Sequence, residues 1–505
     1  MKITALHQWA PPPGVALRWQ PTASCRAAAA AAPVTTGPLT FLAENHIRGS
    51  HREHSAGAPH RAYLGSATEL DGELDVAAMT QALEAFVRRH EILRSWFDFD
   101  GDTIRCHVVA PEDVAFEVVG AGQISCAEEL NTHLRQRFES ETCSDSFPGL
   151  AFGVLARPEG FSMFLGCDHA LSDGASQALA LPELAALYDA ARTHAGSAER
   201  DARAGDGAPG FFDYAAREKE IAERLDGDAP EVSQWRETFA RNDLRMPRFP
   251  LDLGLAPGET APVRPFELEL LEGDQVTAFD TACKSAGGNL LSGVFAALAL
   301  TGFELGCGPE YYGMTVLNTR GADERFSRAQ GWFCAFAPIE VSVRGAASFT
   351  DVVPGARVAQ QRAKSLGTVP VQHALGAMVA AGATADSVVT APNLVSYIDF
   401  RWFPGNGSAA YDRGVIFTGE GRTANASVWI NRDHDRLYLG SQTPDTPFAQ
   451  RQIQRYFEHL RTLITDVASN GDRPAVSPEN AADESHGIVH IVTDHREPPL
   501  ARHHH

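Results

Sequence analysis

Two adjacent hydrophobic runs followed by a short polar segment constrain the fold of this chain more than any other stretch. Residues 161–167 alternate only partly between apolar and small or polar side chains, which is typical of a mostly buried strand. Residues 150–157 predict a second strand, and the Pro-Glu-Gly sequence at 158–160 predicts the turn between them. We therefore expect a β-hairpin whose second strand ends just before His169.

The polar segment after this hairpin combines a histidine, an aspartate and a glycine. Three residues separate His169 from Asp173, and Gly174 follows directly. A helix is predicted next, capped by Ser176 or its neighbours and continuing to Tyr188. Because imidazole titrates near physiological pH, His169 can accept a proton from an alcohol or an amine.

Asp173 has two alternative roles beside this base. It either holds the imidazole directly, as the acid of a Ser-His-Asp triad does, or it points away and braces the loop through an arginine. A turn of this length tends to direct the two side chains to different sides, which favours the brace. Gly174 is expected to supply a backbone geometry or a close approach that other residues forbid.

The segment His169 to Gly174 resembles the HxxxDG active-site signature of the condensation-domain superfamily of acyltransferases. Further segments resemble that family and follow in its order: residues 74–79, 82–97 with the run RHEILR, 317–320, 331–333 and 338–341. Segments similar to the polyketide-associated (Pap) branch of mycobacterial acyltransferases lie at 9–14, 287–288, 292–295 and 427–432. The resemblance extends from residue 1 to about residue 468.

This resemblance implies a fold and a set of site residues. The fold is α/β, with two chloramphenicol-acetyltransferase-like lobes that form a V-shaped pseudo-dimer with a tunnel between them. The catalytic residues are His169, Asp173 and Gly174. Arg320 is implied to support the site by pairing with Asp173, since a guanidinium can bind a buried carboxylate bidentately. The alternative for Arg320 is an exposed loop charge.

One position departs from the family pattern. Many condensation domains carry two consecutive histidines, whereas Asp168 precedes His169 here. The second histidine is the one associated with catalysis in the family, so the base is retained and Asp168 is assigned to support of the site. Its charge is expected to raise the pKa of His169, unless it is simply a hydrogen-bonded residue at the strand end. Cys167 could be a thiol nucleophile, but in an alternating strand it is expected to pack as a small hydrophobe.

Substrate contacts are expected at three residues in the second half of the chain, Asn318, Ser396 and Tyr397. For Ser396 and Tyr397, a plain core strand is the favoured alternative. The oxyanion of an acyl-transfer reaction needs hydrogen-bond donors, and the candidates are backbone N–H groups near Gly174 or the side chain of Ser396 or Tyr397.

The leading interpretation is an acyltransferase that moves an acyl group from a thioester to a hydroxyl of a glycolipid, a polyketide or another small molecule, with His169 as general base. The donor is acyl-CoA or a phosphopantetheinyl carrier protein. A second interpretation is a free-standing condensation enzyme of the nonribosomal-peptide type, which forms an ester or amide from a carrier-bound aminoacyl or aryl donor. A third, a non-catalytic binding module, is disfavoured by the intact His169, Asp173 and Gly174.

Composition limits the partners of the chain. Its formal net charge of −21 argues against nucleic acid, which requires clustered Lys and Arg. No stretch approaches the roughly 18 apolar residues of a membrane helix, and the first residues lack the apolar core of a signal peptide. We therefore expect a cytoplasmic monomer without a transmembrane segment.

No metal and no permanently bound cofactor are expected. The eight cysteines are scattered without a CxxC pair. His486 and His490 have a spacing seen in metal ligands but lie in a polar tail, and the terminal residues 503–505 are a tag remnant or a native end.

The chain is predicted to contain an N-terminal lobe at 1–245, a C-terminal lobe at 246–470 and a poorly ordered polar tail at 471–505. The proline-rich run at 246–250 marks the boundary, and residues 192–210 predict a mobile surface loop. Other predicted elements are a helix capped by Asp75, a hairpin turn at 100–101, a strand at 266–271, helices at 290–301 and 448–467, and a hairpin at 428–440.

Overall fold

Two seven-stranded sheets and a small three-stranded sheet organise the protein. The structure is a computed structural model that describes residues 1–35, 37–193, 210–384, 387–388 and 391–477. Its strands in chain order are β1 (Lys2–Ile3), β2 (Gly14–Pro21), β3 (Val34–Thr35), β4 (Tyr63–Asp71), β5 (Ser95–Asp100), β6 (Thr103–Val108), β7 (Phe116–Ile124), β8 (Leu150–Ala156), β9 (Gly160–Asp168), β10 (Ala261–Glu272), β11 (Glu310–Asn318), β12 (Cys334–Ser342), β13 (Leu394–Asp399), β14 (Val415–Thr418), β15 (Arg422–Thr423), β16 (Ser427–Arg432) and β17 (Arg436–Pro444).

The α-helices pack on these sheets and connect their strands. In chain order they are α1 (Ala23–Ala30), α2 (Phe41–Ser55), α3 (Val76–Arg89), α4 (Ala127–Glu141), α5 (Gly174–Thr193), α6 (Phe211–Arg224), α7 (Pro230–Arg241), α8 (Asp274–Ser285), α9 (Leu290–Glu304), α10 (Phe349–Leu366), α11 (Val371–Ala380), α12 (Ala409–Asp412) and α13 (Pro447–Asn470).

The predicted hairpin forms the centre of the first large sheet, whose order is β1-β14-β4-β9-β8-β2-β7. Strand β9 is buried along its whole length because β4 and β8 flank it and helices cover both faces. Met163 and Leu165 face the core formed with α3 and α5, whereas Phe164 faces α4. Because both faces of the strand contact a hydrophobic core, its sequence is only partly amphipathic.

The second large sheet has the order β12-β11-β13-β16-β17-β10-β15. Helix α9 is buried on nearly all sides beside it, as its almost continuous apolar sequence requires. The predicted strand, the two long helices and the hairpin in this half are all present, as β10, α9, α13 and β16–β17. The predicted α/β fold class is confirmed.

One strand crosses between the two halves of the chain. Strand β14 belongs to the second half in sequence, yet it pairs antiparallel with β4 and parallel with β1 in the first sheet. Conversely, Trp235 of α7 packs with Met314 of β11. The division into two lobes at residue 246 stays a prediction. One strand and one helix pack with elements from the other side of this boundary.

Several local predictions also have direct outcomes. The Asp75 side chain accepts a hydrogen bond from the Ala78 N–H at 3.0 Å and caps α3, as predicted. Strands β5 and β6 form the predicted hairpin around Gly101, which has φ of 56°. Helix α5 is capped by Asp173 rather than by Ser176. Most of the loop expected at 192–210 and of the tail from 471, including His486, His490 and the terminal histidines, lies outside the described residues.

No single helix in the described ranges is long and apolar enough to span a membrane. By length and composition alone, α8 and α9 together meet the requirement, although they are bent by 88° relative to each other.

Candidate active site

His169 lies directly after β9, on the short 3₁₀ turn His169–Leu171 that leads towards α5. Its backbone N–H donates to the carbonyl oxygen of Ala62 at 3.0 Å, which fixes the start of the turn. The side chain is half-buried, and its Nδ1 atom has no hydrogen-bond partner among the described residues. The imidazole is therefore held by packing and by its backbone.

An indole ring forms one wall of this position. The ring centroids of Trp332 and His169 lie 4.1 Å apart, and Trp332 also meets His46 edge-on at 5.8 Å. The indole Nε1 donates to Cys334 Sγ at 2.8 Å. Trp332 thus fixes one side of the His169 ring and is itself fixed by the start of β12.

The pKa of His169 is lowered from 6.5 to about 4, mainly by burial and next by the neighbouring His46. Asp173 and Asp168 act in the opposite direction but more weakly. Asp168 acts on the pKa of His169 in the predicted, raising direction, but desolvation by burial outweighs it and the net shift is downward. At neutral pH the imidazole is uncharged and able to accept a proton.

Asp168 is fully buried and makes four close polar contacts. Its Oδ1 atom lies 2.8 Å from His46 Nε2 and accepts from the Ala170 N–H at 2.6 Å. Its Oδ2 atom accepts from the Ser144 N–H at 3.2 Å and lies 3.5 Å from His60 Nε2. Burial alone would raise the pKa of Asp168, but the two histidines and the Ala170 N–H lower it overall. Asp168 is a hydrogen-bonded residue at the strand end, which was the alternative kept open above.

The structure brings Asp173 and Arg320 together, although 147 positions separate them in sequence. Arg320 Nη1 donates to Asp173 Oδ2 at 2.7 Å, and the two residues are only 3% and 8% exposed. Asp173 also accepts from the backbone N–H groups of Ser176 and Phe333, at 2.7 and 2.9 Å. These donors hold the pKa of Asp173 below its usual range despite burial, which acts the other way. The carboxylate caps α5 and ties it to the segment before β12.

Arg320 is satisfied on its remaining sides as well. Its Nη2 atom donates to Ser176 Oγ at 2.6 Å and to the Gly331 carbonyl oxygen at 3.0 Å, and its Nε donates to the Ala329 carbonyl oxygen. The guanidinium carbon lies 4.3 Å from the centre of the Phe333 ring. Such a fully partnered cation is typical of a structural brace rather than of a group that contacts substrate.

Gly174 opens α5 without an unusual backbone conformation, since its φ is not in the left-handed region. A Cβ atom there would meet only Ile398 Cδ1, at an ordinary 3.7 Å. The expectation of a geometry or close approach forbidden to other residues is wrong for contacts within the chain.

A cavity of about 480 Å³ lies beside this site. Asn318, Tyr397 and Cys334 are among its lining residues, together with Tyr214 and Lys364. His169 is not among them, so the cavity is not the tunnel expected to run through His169. The cavity and the His169 site share one neighbour: Cys334 lines the cavity and accepts a hydrogen bond from Trp332, which packs against His169.

The three predicted substrate residues have different surroundings. Asn318 is exposed at the cavity, and its Oδ1 accepts from the Arg320 N–H at 3.0 Å. Tyr397 also lines the cavity, but its hydroxyl donates to Asp399 Oδ2 at 3.1 Å. Ser396 is buried away from the cavity, and its Oγ has no partner in the described structure. Asn318 and Tyr397 are therefore placed at the cavity, and Ser396 is not.

Cys167 is 2% exposed, and burial raises the pKa of its thiol to about 12. A buried, protonated thiol is inert, so the structure supports packing rather than nucleophilic attack.

Sequence reasoning missed His46, His60 and the role of Trp332. His46 lies within α2 and His60 in the loop before β4, and neither forms part of a motif. Trp332 is part of a segment that resembles the family, but nothing in that segment indicates contact with His169. The adjacent Asp168 is the one available signal, because a buried carboxylate needs a partner.

Comparison with known protein families matches residues 54–392 to the condensation domain. This match covers more than half of the chain. The chain belongs to the condensation-domain family. The matched range includes His169, Asp173 and Arg320.

Relatives of known activity agree with this assignment. The 2'-acyl-2-O-sulfo-trehalose (hydroxy)phthioceranyltransferase PapA1 of Mycobacterium tuberculosis is 28% identical over 488 residues, which cover 93% of this chain and 89% of PapA1. Trehalose-2-sulfate acyltransferase PapA2 of Mycobacterium bovis is 28% identical over 474 residues, which cover 92% and 97%. The predicted resemblance to the Pap branch and the predicted enzyme class, an acyltransferase, are confirmed.

A solved structure supports the fold over its full length. The structure of a PapA2 acyl transferase superposes with a TM-score of 0.80 at 23% identity, over 93% of this chain and 100% of that chain.

Proposed function

We propose that this enzyme transfers an acyl group from a thioester to a hydroxyl of a small-molecule acceptor, with His169 as general base. The observation that carries the proposal is the position of His169: its ring packs 4.1 Å from the Trp332 ring, and its backbone N–H donates to the Ala62 carbonyl oxygen. Burial, which lowers the pKa of the imidazole to about 4, keeps it uncharged at neutral pH. A neutral imidazole in a fixed position is what proton abstraction from an alcohol requires.

The reaction proceeds by direct attack, without a covalent enzyme intermediate. His169 takes the hydroxyl proton while the acceptor oxygen attacks the thioester carbonyl carbon. The tetrahedral intermediate then collapses, the C–S bond breaks, and the imidazolium returns its proton to the leaving thiolate. Asp173 and Arg320 take no part in proton transfer, because their hydrogen bonds are directed at each other and at the backbone. They hold the segment that carries the base.

The acceptor we propose is a sugar-based lipid of the trehalose type. Support comes from the relatives PapA1 and PapA2, whose names specify acylation of 2'-acyl-2-O-sulfo-trehalose and of trehalose-2-sulfate.

The donor we propose is an acyl thioester of phosphopantetheine, carried by CoA or by an acyl carrier protein. The cavity of about 480 Å³ lies within the size range of small-molecule sites and has room for an acyl chain. Its apolar side includes Leu291, Phe295 and Val316. Lys364 is exposed at the same cavity and supplies a cation for a donor phosphate.

The test is an acyl-transfer assay with two donors and two acceptors, read by mass spectrometry of the products. The donors are a long-chain acyl-CoA and the same acyl group on a carrier protein, and the acceptors are trehalose 2-sulfate and an amino acid amide. Wild type is expected to give the sugar ester, and His169→Ala is expected to give none above background. His434→Ala, which changes an exposed histidine hydrogen-bonded to Asn406, is the matched control and should equal wild type.

Two results would overturn parts of the proposal. Amide product in place of ester would assign the chain to peptide-type condensation. Sugar ester formed equally well by His169→Ala would remove His169 from the reaction.

A further inference from the structure

A second cluster of reactive side chains includes the two sequence neighbours of Ser144, whose N–H donates to Asp168 Oδ2. His54 at the end of α2 faces the turn after α4, which carries Cys143 and Asp145. One ligand atom from each of these three residues lies within 4.8 Å of the other two, and His54 Nδ1 is 2.6 Å from Asp145 Oδ2. Among the residues the structure describes, no other group of three His, Cys, Asp or Glu side chains meets this condition.

The three residues belong to the lining of a small cavity. Its volume is about 20 Å³, and a cavity needs roughly 10–15 Å³ to hold one water molecule. His60 lines the same cavity with a side chain only 7% exposed. Its Nε2 atom lies 3.5 Å from Asp168 Oδ2 and makes no hydrogen bond in the described structure. His60 thus adds a buried imidazole to the lining of the same cavity.

The donor types select the class of ligand. An imidazole nitrogen, a sulfur and a carboxylate oxygen suit zinc and its substitute cobalt, whereas calcium and magnesium prefer oxygen alone. Three protein ligands leave a fourth tetrahedral position for a solvent molecule. The thiol hydrogen of Cys143 now points at the Glu139 carbonyl oxygen at 3.9 Å, a weak bond that a metal would replace.

We propose that His54, Cys143 and Asp145 form a binding site for one zinc-class divalent cation. Binding forms the metal–sulfur bond and releases the Cys143 proton to solvent. The ion takes no part in acyl transfer, which needs no metal in the mechanism above. The site is distinct from the catalytic position and its existence does not depend on the proposed function.

The proposed ion would lie between two segments that both hydrogen-bond to Asp168, the residue before His169. His54 lies on α2, the helix whose His46 contacts Asp168 Oδ1. Ser144, between the other two ligands, donates its N–H to Asp168 Oδ2 and accepts from the Phe97 N–H at 2.8 Å. A bound ion therefore links the two elements that hold Asp168, and we expect it to stabilise the folded chain.

The test uses the full chain, freed of metal with a chelator and titrated with Co²⁺. Wild type is expected to bind one equivalent with a thiolate-to-cobalt charge-transfer band in the near ultraviolet, which reports a cysteine ligand. The histidine-rich tail lacks cysteine and cannot produce this band. Cys143→Ser should abolish the band, and Cys126→Ser, which changes an exposed cysteine outside the cluster, should retain it.

A second variant protects the test against misfolding. The His54 side chain is 60% exposed, so His54→Ala is expected to fold, and it should weaken Co²⁺ binding at this site by on the order of 100-fold or more. Zn²⁺ should raise the melting temperature of wild type but raise that of His54→Ala by much less. Absence of the charge-transfer band in wild type, or an unchanged band in Cys143→Ser or His54→Ala, would overturn the proposal. No assay in this test requires turnover, so its outcome is separate from that of the proposed function.

Discussion

Replacing Asp173 with alanine tests whether this residue is a brace or a catalytic relay. The carboxylate accepts from Arg320 Nη1 at 2.7 Å and from the N–H groups of Ser176 and Phe333. Asp173→Ala leaves the Arg320 charge buried without its anionic partner and uncaps α5. Both consequences reduce the stability of the folded chain.

The expected loss follows from the kind of contacts removed. Breaking a buried ion pair from one side costs about 3–5 kcal/mol, and an N-cap contributes roughly 1 kcal/mol of helix stability. Arg320 keeps its hydrogen bonds to Ser176 Oγ and to the Gly331 carbonyl oxygen, so part of its hydrogen-bonding capacity stays satisfied in the variant. We therefore expect Asp173→Ala to lose about 3 kcal/mol of the free energy of unfolding, together with turnover.

The assay is urea denaturation followed by far-ultraviolet circular dichroism, with turnover measured on the same samples. Asp75→Ala is the matched control, because Asp75 caps α3 in the same way, is exposed and makes no salt bridge in the described structure. It should lose only about 1 kcal/mol. In a double-mutant cycle, Arg320→Ala should add little to Asp173→Ala. Lost turnover with wild-type stability in Asp173→Ala would refute the brace and assign Asp173 a direct catalytic role.

Three further predictions concern the base and the donor. Between about pH 6.5 and 4, His169 binds a proton in the unfolded chain but not in the native chain, where its pKa is about 4. The free energy of unfolding should therefore decrease as the pH is lowered through this window. Urea denaturation should show that His169→Gln avoids up to roughly 3 kcal/mol of this decrease. Trp332→Ala should lower kcat on the order of tenfold by freeing the His169 ring, whereas Trp332→Phe, which keeps a ring but loses the bond to Cys334, should stay close to wild type; equal rates for both variants would argue against positioning. Lys364→Ala should raise the donor KM about two- to five-fold without changing kcat, while Lys284→Ala, whose partner Asp280 lies on the same helix, should change neither.

Local elements were predictable because their signals are local. The central strand β9 and the α3 helix with its Asp75 cap follow from hydrophobic period and capping chemistry within a few residues. Strand β14 shows the limit of this reasoning. Its four residues form a short apolar strand in the second half, but nothing in them specifies pairing with β4 and β1 in the first.

The site was predictable to a similar extent. His169 and Asp173 follow from one contiguous motif, whereas the partner Arg320 came from family resemblance, because no local pattern links positions 147 residues apart. The polarity of His46 on α2 gave no indication that it faces a buried carboxylate. The lowered pKa of His169 also depends on burial, which only the assembled fold determines.

The pH dependence of kcat/KM tests the role of His169 most directly. If this imidazole is the general base, kcat/KM of wild type should fall on the acid side with an apparent pKa near 4, well below the ordinary value of 6.5. His169→Gln should be slower by roughly 10²–10⁴-fold and should lack this limb. A wild-type acid limb that persists unchanged in His169→Gln, or a His169→Gln variant that retains the rate of wild type, would contradict the account.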